Sequence, residues 1–180
     1  KIRVTEEERL DQNFRSTPYL VQSANSVLEM IGEYEEETPR ALQRPFAGEN
    51  FGERLLRFSG TEDELITVMN QEGLPNSGCV LLVRGENEKV RLSSKLNAEG
   101  RVFVETIVKF KGLEKRNVLL WDIASGSERI LDLLHHTKRG PEALTNPANK
   151  TTAVIELKHV FVALTRARFL CGVITPINNN

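Results

Sequence analysis

Cysteine is scarce in this chain. Cys79 and Cys171 are its two cysteines among 180 residues, and both lie in apolar runs, GCVLLV and FLCGVI. No partner residue lies at zinc-ligand spacing, so we expect two small buried side chains and no metal site. The sequence also lacks a signal peptide and an apolar run long enough to cross a bilayer. We therefore expect a reducing, cytoplasmic setting and no membrane partner.

An excess of one charge sign is missing as well. Lys and Arg number 24 and Asp and Glu number 25, so the net charge is -1. No global field draws such a molecule to nucleic acid, and any contact of that kind must be local. The 39% apolar fraction is enough for one domain with a real core, and there are no repeats or low-complexity tracts. Lys1 at the start and the asparagines at the end indicate a piece of a longer protein.

The hydrophobic pattern alternates between helix and strand periods. Helices are predicted at 18–32, 61–71, 86–97, 127–135 and 152–167, and strands at 54–58, 78–84, 101–107, 117–123 and 169–175. Ser16 or Thr17 is expected to cap the first helix, and Thr61 with Glu64 forms a capping box for the second. The continuous apolar run at 78–84 is typical of a parallel strand covered on both faces. The sequence therefore predicts an α/β domain with a mostly parallel sheet.

Three polar segments interrupt this alternating pattern, and the polar residues of each segment have an ordinary structural explanation. They are NFRS at 13–16, TIVKFKGLE at 106–114 and ELKHVFVALTRAR at 156–168. Arg15 alone would pass for a surface charge, and Lys111 to Glu114 for a turn. Arg166 and Arg168 would complement the C-terminal dipole of the last helix. If these segments bind a ligand, we expect it at the carboxyl ends of the strands, as in other open α/β sheets.

Taken together and in this order, the segments resemble motifs of the second RecA-like domain of superfamily 1 helicases of the UvrD/Rep type. The first motif, N-[YF]-R-S followed by A-N, is matched by residues 13–16 and 24–25. The second, T-x-H-x-x-K-G-L-E, is matched at Thr106 and 111–114. The third, E-x-[RK]-x-x-[YF]-V-x-x-T-R-A, is matched at Glu156, Lys158, 161–162 and 165–167. The resemblance covers residues 10–175 and implies a RecA-like three-layer sandwich.

The resemblance implies an ATP site between two RecA-like domains. In that family the first arginine, here Arg15, reaches the γ-phosphate, and the neighbouring aromatic, here Phe14, packs near the adenine. Arg166 would approach the same phosphate as an arginine finger. Glu114 would contact the ribose, and Gly112, two residues earlier in K-G-L-E, is also expected at the nucleotide. Arg15 and Arg166 are thus the expected catalytic residues. Thr106 and Lys109 are the expected contacts to single-stranded DNA.

Other features depart from the family pattern. Val108 stands where the family has histidine, and no phosphate-binding loop G-x-x-x-x-G-K-[ST] occurs in the chain. Asp122 follows an apolar strand but lacks a second acid, so we interpret it as structural. The short link at 97–102 leaves no room for the accessory subdomain of UvrD and Rep.

We therefore expect the C-terminal motor domain of an ATP-dependent DNA helicase, inactive when isolated. A separate N-terminal RecA-like domain would hold Mg²⁺ and the rest of the ATP site. The alternative is a degenerate helicase module that binds or regulates without hydrolysis, which Val108 and the lack of a basic patch would favour.

Overall fold

A computed structural model describes residues 12–13, 15–35, 44–45, 56–71, 78–96, 102–123 and 147–177. Phe14, the helix predicted near 127–135 and the link after residue 96 lie outside the described residues. The helices are α1 (Pro18–Glu35), α2 (Glu62–Gln71), α3 (Glu86–Leu96) and α4 (Pro147–Leu164). The strands are β1 (Gln12–Asn13), β2 (Arg44–Pro45), β3 (Leu56–Gly60), β4 (Cys79–Val83), β5 (Phe103–Thr106), β6 (Lys115–Trp121) and β7 (Ala167–Pro176).

Five strands form one sheet in the order β3-β7-β6-β4-β5, and every neighbouring pair in it is parallel. The pair β1 and β2 is separate and also parallel. The three central strands β7, β6 and β4 carry the longest buried runs, and β4 is buried at all five positions. This confirms the predicted parallel α/β sheet.

Helices cover both faces of this sheet, which gives three layers. Alternate side chains of each central strand point to opposite faces. Val80, Val118 and Cys171 pack with α1 and α4 on one face. Leu81 and Leu119 pack with α2 and α3 on the other. The architecture is that of a RecA-like sandwich. Within the described residues, no helix is both long and apolar enough to cross a membrane.

The predicted boundaries hold for α2 and α3 but shift elsewhere. The capping box is confirmed, because Thr61 and Glu64 exchange backbone-to-side-chain hydrogen bonds of 2.9 and 3.3 Å. Helix α1 continues past the predicted stop at Gly32, because Tyr34 is still buried in the core. Helix α4 ends at Leu164 instead of 167, because Ala167 already pairs with Lys115 in the sheet. Arg166 therefore lies in a turn and not on the helix.

Both cysteines are free and buried, as predicted. Burial raises the pKa of each thiol to about 12. Neither thiol is expected to be a reactive nucleophile near neutral pH.

Gly172 is required by the tight packing between β7 and its neighbours. A Cβ atom there would lie 2.7 Å from Leu119 Cδ2 and 3.1 Å from Phe58 Cε2. Gly172→Ala is therefore expected to lower the free energy of unfolding by about 2 kcal/mol through overpacking. Gly85→Ala is the matched control, since no atom lies within 4 Å of a Cβ there, and we expect it to cost about 0.5 kcal/mol as a helix-cap change. Urea unfolding of both variants measures the difference, and equal values would contradict the packing explanation.

Candidate functional site

One arginine or glutamate from each motif segment lies at the same edge of the sheet. Arg15 lies three residues before the start of α1, Glu114 immediately precedes β6, and Arg166 immediately precedes β7. Since β6 and β7 are neighbouring parallel strands, the residues before them lie side by side at the amino ends of the strands. We call this the amino edge. The expectation of a site at the carboxyl ends is wrong for these three residues, because each stands before its strand or helix instead of after it.

A direct contact joins the first two segments. The Arg15 guanidinium donates to the Glu114 carboxylate at 2.5 Å, across a separation of 99 residues. The exposed fractions of the two side chains are 45% and 31%, so solvent reaches this ion pair. Exposed pairs contribute about 0–1 kcal/mol, which makes the contact easy to exchange for another ligand. Both groups are therefore accessible to a bound molecule at this edge.

Backbone and hydroxyl contacts hold the first segment against β7. Ser16 donates its hydroxyl to the Ala167 carbonyl at 3.1 Å, and the Thr17 N–H donates to the Arg168 carbonyl at 3.2 Å. Thr17 occupies the N-cap position of α1, because its carbonyl accepts the Val21 N–H at 3.1 Å. Its hydroxyl instead reaches the Phe169 carbonyl at 3.5 Å. The sequence predicted the cap but gave no signal for these contacts to the strand, which fix Arg15 beside Arg166.

The Arg166 turn joins the second and third segments. Its carbonyl accepts the Lys115 N–H at 3.1 Å, and its own N–H donates to the Ala163 carbonyl at 3.0 Å. Its side chain is half-buried, and the buried Nε has no hydrogen-bond partner among the described residues. A buried donor without a partner is costly, which makes Arg166 a candidate for binding an acceptor that is not part of this chain.

Gly112 has a backbone reason to be glycine. Its φ is +90°, in a region that residues with a Cβ rarely adopt, although a Cβ there would have nothing within 4 Å. Its expected role near a nucleotide stays a prediction. We expect Gly112→Ala to destabilise the fold by about 1–2 kcal/mol through strain alone, and Gly112→Asn to cost less, because asparagine tolerates positive φ better. Thermal or urea unfolding of the two variants tests the order, and an alanine variant as stable as the parent would contradict it.

The predicted DNA contacts lie at the opposite edge. Thr106 is the last residue of β5, its side chain is buried, and its hydroxyl oxygen accepts the Lys109 N–H at 3.4 Å. Lys109 Nζ lies 2.6 Å from Glu86 Oε1, and this hydrogen bond raises the pKa of Lys109. Val108, in the family's histidine position, is 73% exposed. We call this the carboxyl edge, and the DNA role of Thr106 and Lys109 stays a prediction.

A half-buried ion pair also lies at the carboxyl edge. Arg84, directly after β4, binds Glu156 of α4 with both terminal nitrogens, and Arg84 Nη2 to Glu156 Oε2 measures 2.8 Å. The Glu156 side chain is 8% exposed. Arg84 also donates to the Asp122 carbonyl at 3.0 and 3.2 Å, and Asp122 has φ of +53°. The sequence matched Glu156 to a motif but did not predict its partner.

Acids elsewhere at the carboxyl edge are paired too. Burial would raise the pKa of Glu105, but hydrogen bonds from Lys89 Nζ and the Thr106 N–H hold it below its ordinary value. Burial raises the pKa of Glu88. No group of three or more potential metal ligands occurs within the described part of the chain.

Comparison with known proteins supports the fold. No protein-family model matches the chain, and no curated protein matches it by sequence. A solved structure that is similar is the C-terminal domain of a possible DNA helicase from Lactobacillus plantarum WCFS1. The TM-score is 0.55 at 12% sequence identity, over 91% of this chain and 88% of that one. At this identity the similarity shows a shared α/β fold.

Proposed function

We propose that this chain is the C-terminal RecA-like motor domain of an ATP-dependent superfamily 1 DNA helicase of the UvrD/Rep type. It would complete an ATP site together with an N-terminal RecA-like domain. The observation that carries the proposal is the Arg15–Glu114 contact, which joins two motif segments 99 residues apart beside Arg166. A structural likeness to the C-terminal domain of a possible DNA helicase agrees with it.

The residues at the amino edge fit a nucleoside triphosphate held mainly by another domain. Arg166 offers an unsatisfied donor, and a guanidinium keeps its charge and binds phosphate oxygens through a fork of N–H groups. Arg15 can exchange its exposed carboxylate partner for a phosphate oxygen. Glu114, once released from Arg15, can accept a hydrogen bond from a ribose hydroxyl. Charge that develops during phosphoryl transfer would be stabilised by Arg166.

Magnesium and the attacking water would be held by the partner domain, because this chain has no phosphate-binding loop. Its own task is then to bring two guanidinium groups to the phosphate when the domains close. The isolated domain is expected to show no ATPase activity.

A second candidate function is a non-hydrolysing binding or regulatory module. The observation that favours it is the carboxyl edge, where Val108 is exposed in place of histidine and Lys109 is paired with Glu86. Such an edge is a poor surface for a nucleic-acid backbone. A motor function accounts for the grouping of Arg15, Glu114 and Arg166 at one edge. A regulatory role gives this grouping no function.

ATP hydrolysis by the full polypeptide that contains this domain, measured with and without single-stranded DNA, tests the two functions against each other. Turnover that DNA stimulates supports the motor. If the polypeptide carries an intact phosphate-binding loop and still does not hydrolyse ATP, the regulatory module is the better explanation.

A further inference from the structure

Arg15 and Glu114 bind each other, although the proposed function gives them different parts of a nucleotide. The Arg15 guanidinium lies 2.5 Å from the Glu114 carboxylate. In the proposed function Arg15 binds the γ-phosphate and Glu114 binds a ribose hydroxyl, and these groups lie at opposite ends of the triphosphate chain. The two side chains cannot touch each other while each holds its own part of the nucleotide. Nucleotide binding must therefore break this ion pair.

The residue that follows each member of the pair is anchored where β7 begins. Ser16 donates its hydroxyl to the Ala167 carbonyl at 3.1 Å. The Lys115 N–H donates to the preceding carbonyl, that of Arg166, also at 3.1 Å. The two backbones are thus fixed at adjacent residues, which keeps the paired side chains within reach of each other. Because no side-chain atom of the pair takes part in these bonds, the pair can open by side-chain rotation alone.

Solvent exposure makes the pair reversible. The exposed fractions of the Arg15 and Glu114 side chains are 45% and 31%. An ion pair this exposed changes an equilibrium by about fivefold at most, so it competes with a ligand without excluding it. The pair of Lys158 with Glu35 is closely similar, at 2.5 Å with exposed fractions of 53% and 37%. It joins α4 to the end of α1, away from the amino edge, and so provides a matched control.

We propose that the Arg15–Glu114 pair is an autoinhibitory latch, which opposes nucleotide binding and promotes release of the nucleoside diphosphate after hydrolysis. This inference rests on the proposed function. Only molecules with an open pair can bind, so the latch lowers the apparent affinity. A triphosphate compensates twice, because its γ-phosphate binds Arg15 and its ribose binds Glu114. A diphosphate has no γ-phosphate, so Arg15 returns to Glu114 and withdraws the carboxylate from the ribose.

Ligand fragments that reach only one member of the pair test the latch. Tripolyphosphate has no ribose, and adenosine has no phosphate. Their dissociation constants are measured by calorimetry on the full polypeptide that contains this domain. Glu114→Gln is expected to tighten tripolyphosphate binding about two- to fivefold, because Arg15 no longer has to leave a carboxylate. Arg15→Gln should tighten adenosine binding by a similar factor, because Glu114 no longer has to leave a guanidinium.

Each expected gain comes from changing a side chain that the fragment does not touch, which a simple contact role does not predict. Glu35→Gln breaks the control pair and should leave both affinities unchanged. The gains should shrink as salt is raised, because salt screens an exposed ion pair. Equal gains in the Glu35→Gln variant, or gains that do not depend on salt, would overturn the latch. Unfolding curves establish that each variant is folded.

Release of the diphosphate is measured separately, by stopped-flow dissociation of a fluorescent ADP. Glu114→Gln should slow it about two- to fivefold, because glutamine can still accept from the ribose but no longer attracts Arg15. Dissociation as fast as in the parent would overturn the role in product release.

The latch and the motor fail in different ways. Unchanged affinities for tripolyphosphate and adenosine in the Glu114→Gln and Arg15→Gln variants overturn the latch, while DNA-stimulated turnover of the parent still supports the motor. The expected gains in a polypeptide that does not hydrolyse ATP would support the latch and count against the motor.

Discussion

Arg166→Ala is expected to lower the kcat of ATP hydrolysis by about 10³- to 10⁵-fold in the full polypeptide, the range that arginine fingers contribute. Nucleotide affinity should change little, since the binding loop and metal would lie in the partner domain. The reason lies in the geometry of the turn. The Arg166 backbone is held by Lys115 and Ala163, while its buried Nε has no partner among the described residues. The side chain is thus positioned but unsatisfied until an acceptor arrives.

Steady-state kinetics and equilibrium nucleotide binding, measured on the same preparations, separate these effects. Arg166→Lys should recover little activity, because an ammonium group does not reproduce the forked geometry of a guanidinium. Arg57→Ala serves as the control, since Arg57 is an exposed arginine on β3 outside the site. Near-normal turnover of the Arg166→Ala variant would remove Arg166 from the catalytic machinery and with it the motor assignment.

The sequence predicted the helices and strands of the three layers well, because the spacing of hydrophobic residues depends only on residues that are close together in the chain. The buried run at 79–83 and the helical spacing after Pro18 each depend on a few consecutive side chains. The capping box of Thr61 and Glu64 is equally local. Such patterns can be recognised without knowing which residues pack against them.

The prediction failed where the answer depends on distant residues. The end of α4 is set by the pairing of Ala167 with Lys115, more than 50 residues away along the chain. The location of the candidate site followed a general rule about carboxyl ends, and β6 and β7 place Glu114 and Arg166 at the other edge. Net charge predicted only that no global field exists, and the fold brings Lys115, Arg116 and Arg168 to one edge. Motif spacing identifies residue types but not the edge at which they meet.

The Arg84–Glu156 pair explains how the fold fixes the helix that leads to Arg166. Glu156 is nearly buried, and the two charge-assisted bonds from Arg84 tie α4 to the end of β4. Arg84 also bonds the carbonyl of Asp122 at the end of β6. One guanidinium therefore connects a helix with two central strands. The same helix ends at Leu164, two residues before Arg166.

Arg84→Met is expected to lower the free energy of unfolding by about 2–3 kcal/mol. Breaking a fully buried pair costs about 3–5 kcal/mol, and the smaller value applies because Arg84 is 43% exposed, so water can reach the carboxylate. The double variant Arg84→Met/Glu156→Leu should be more stable than Arg84→Met alone, since it removes the buried charge together with its partner. Arg91→Ala, which breaks an exposed pair with Glu62, should cost at most about 1 kcal/mol. Urea unfolding at constant m-value measures all three. If Arg84→Met is no less stable than Arg91→Ala, the pair does not hold α4 in place, and the position of Arg166 must depend on the turn contacts alone.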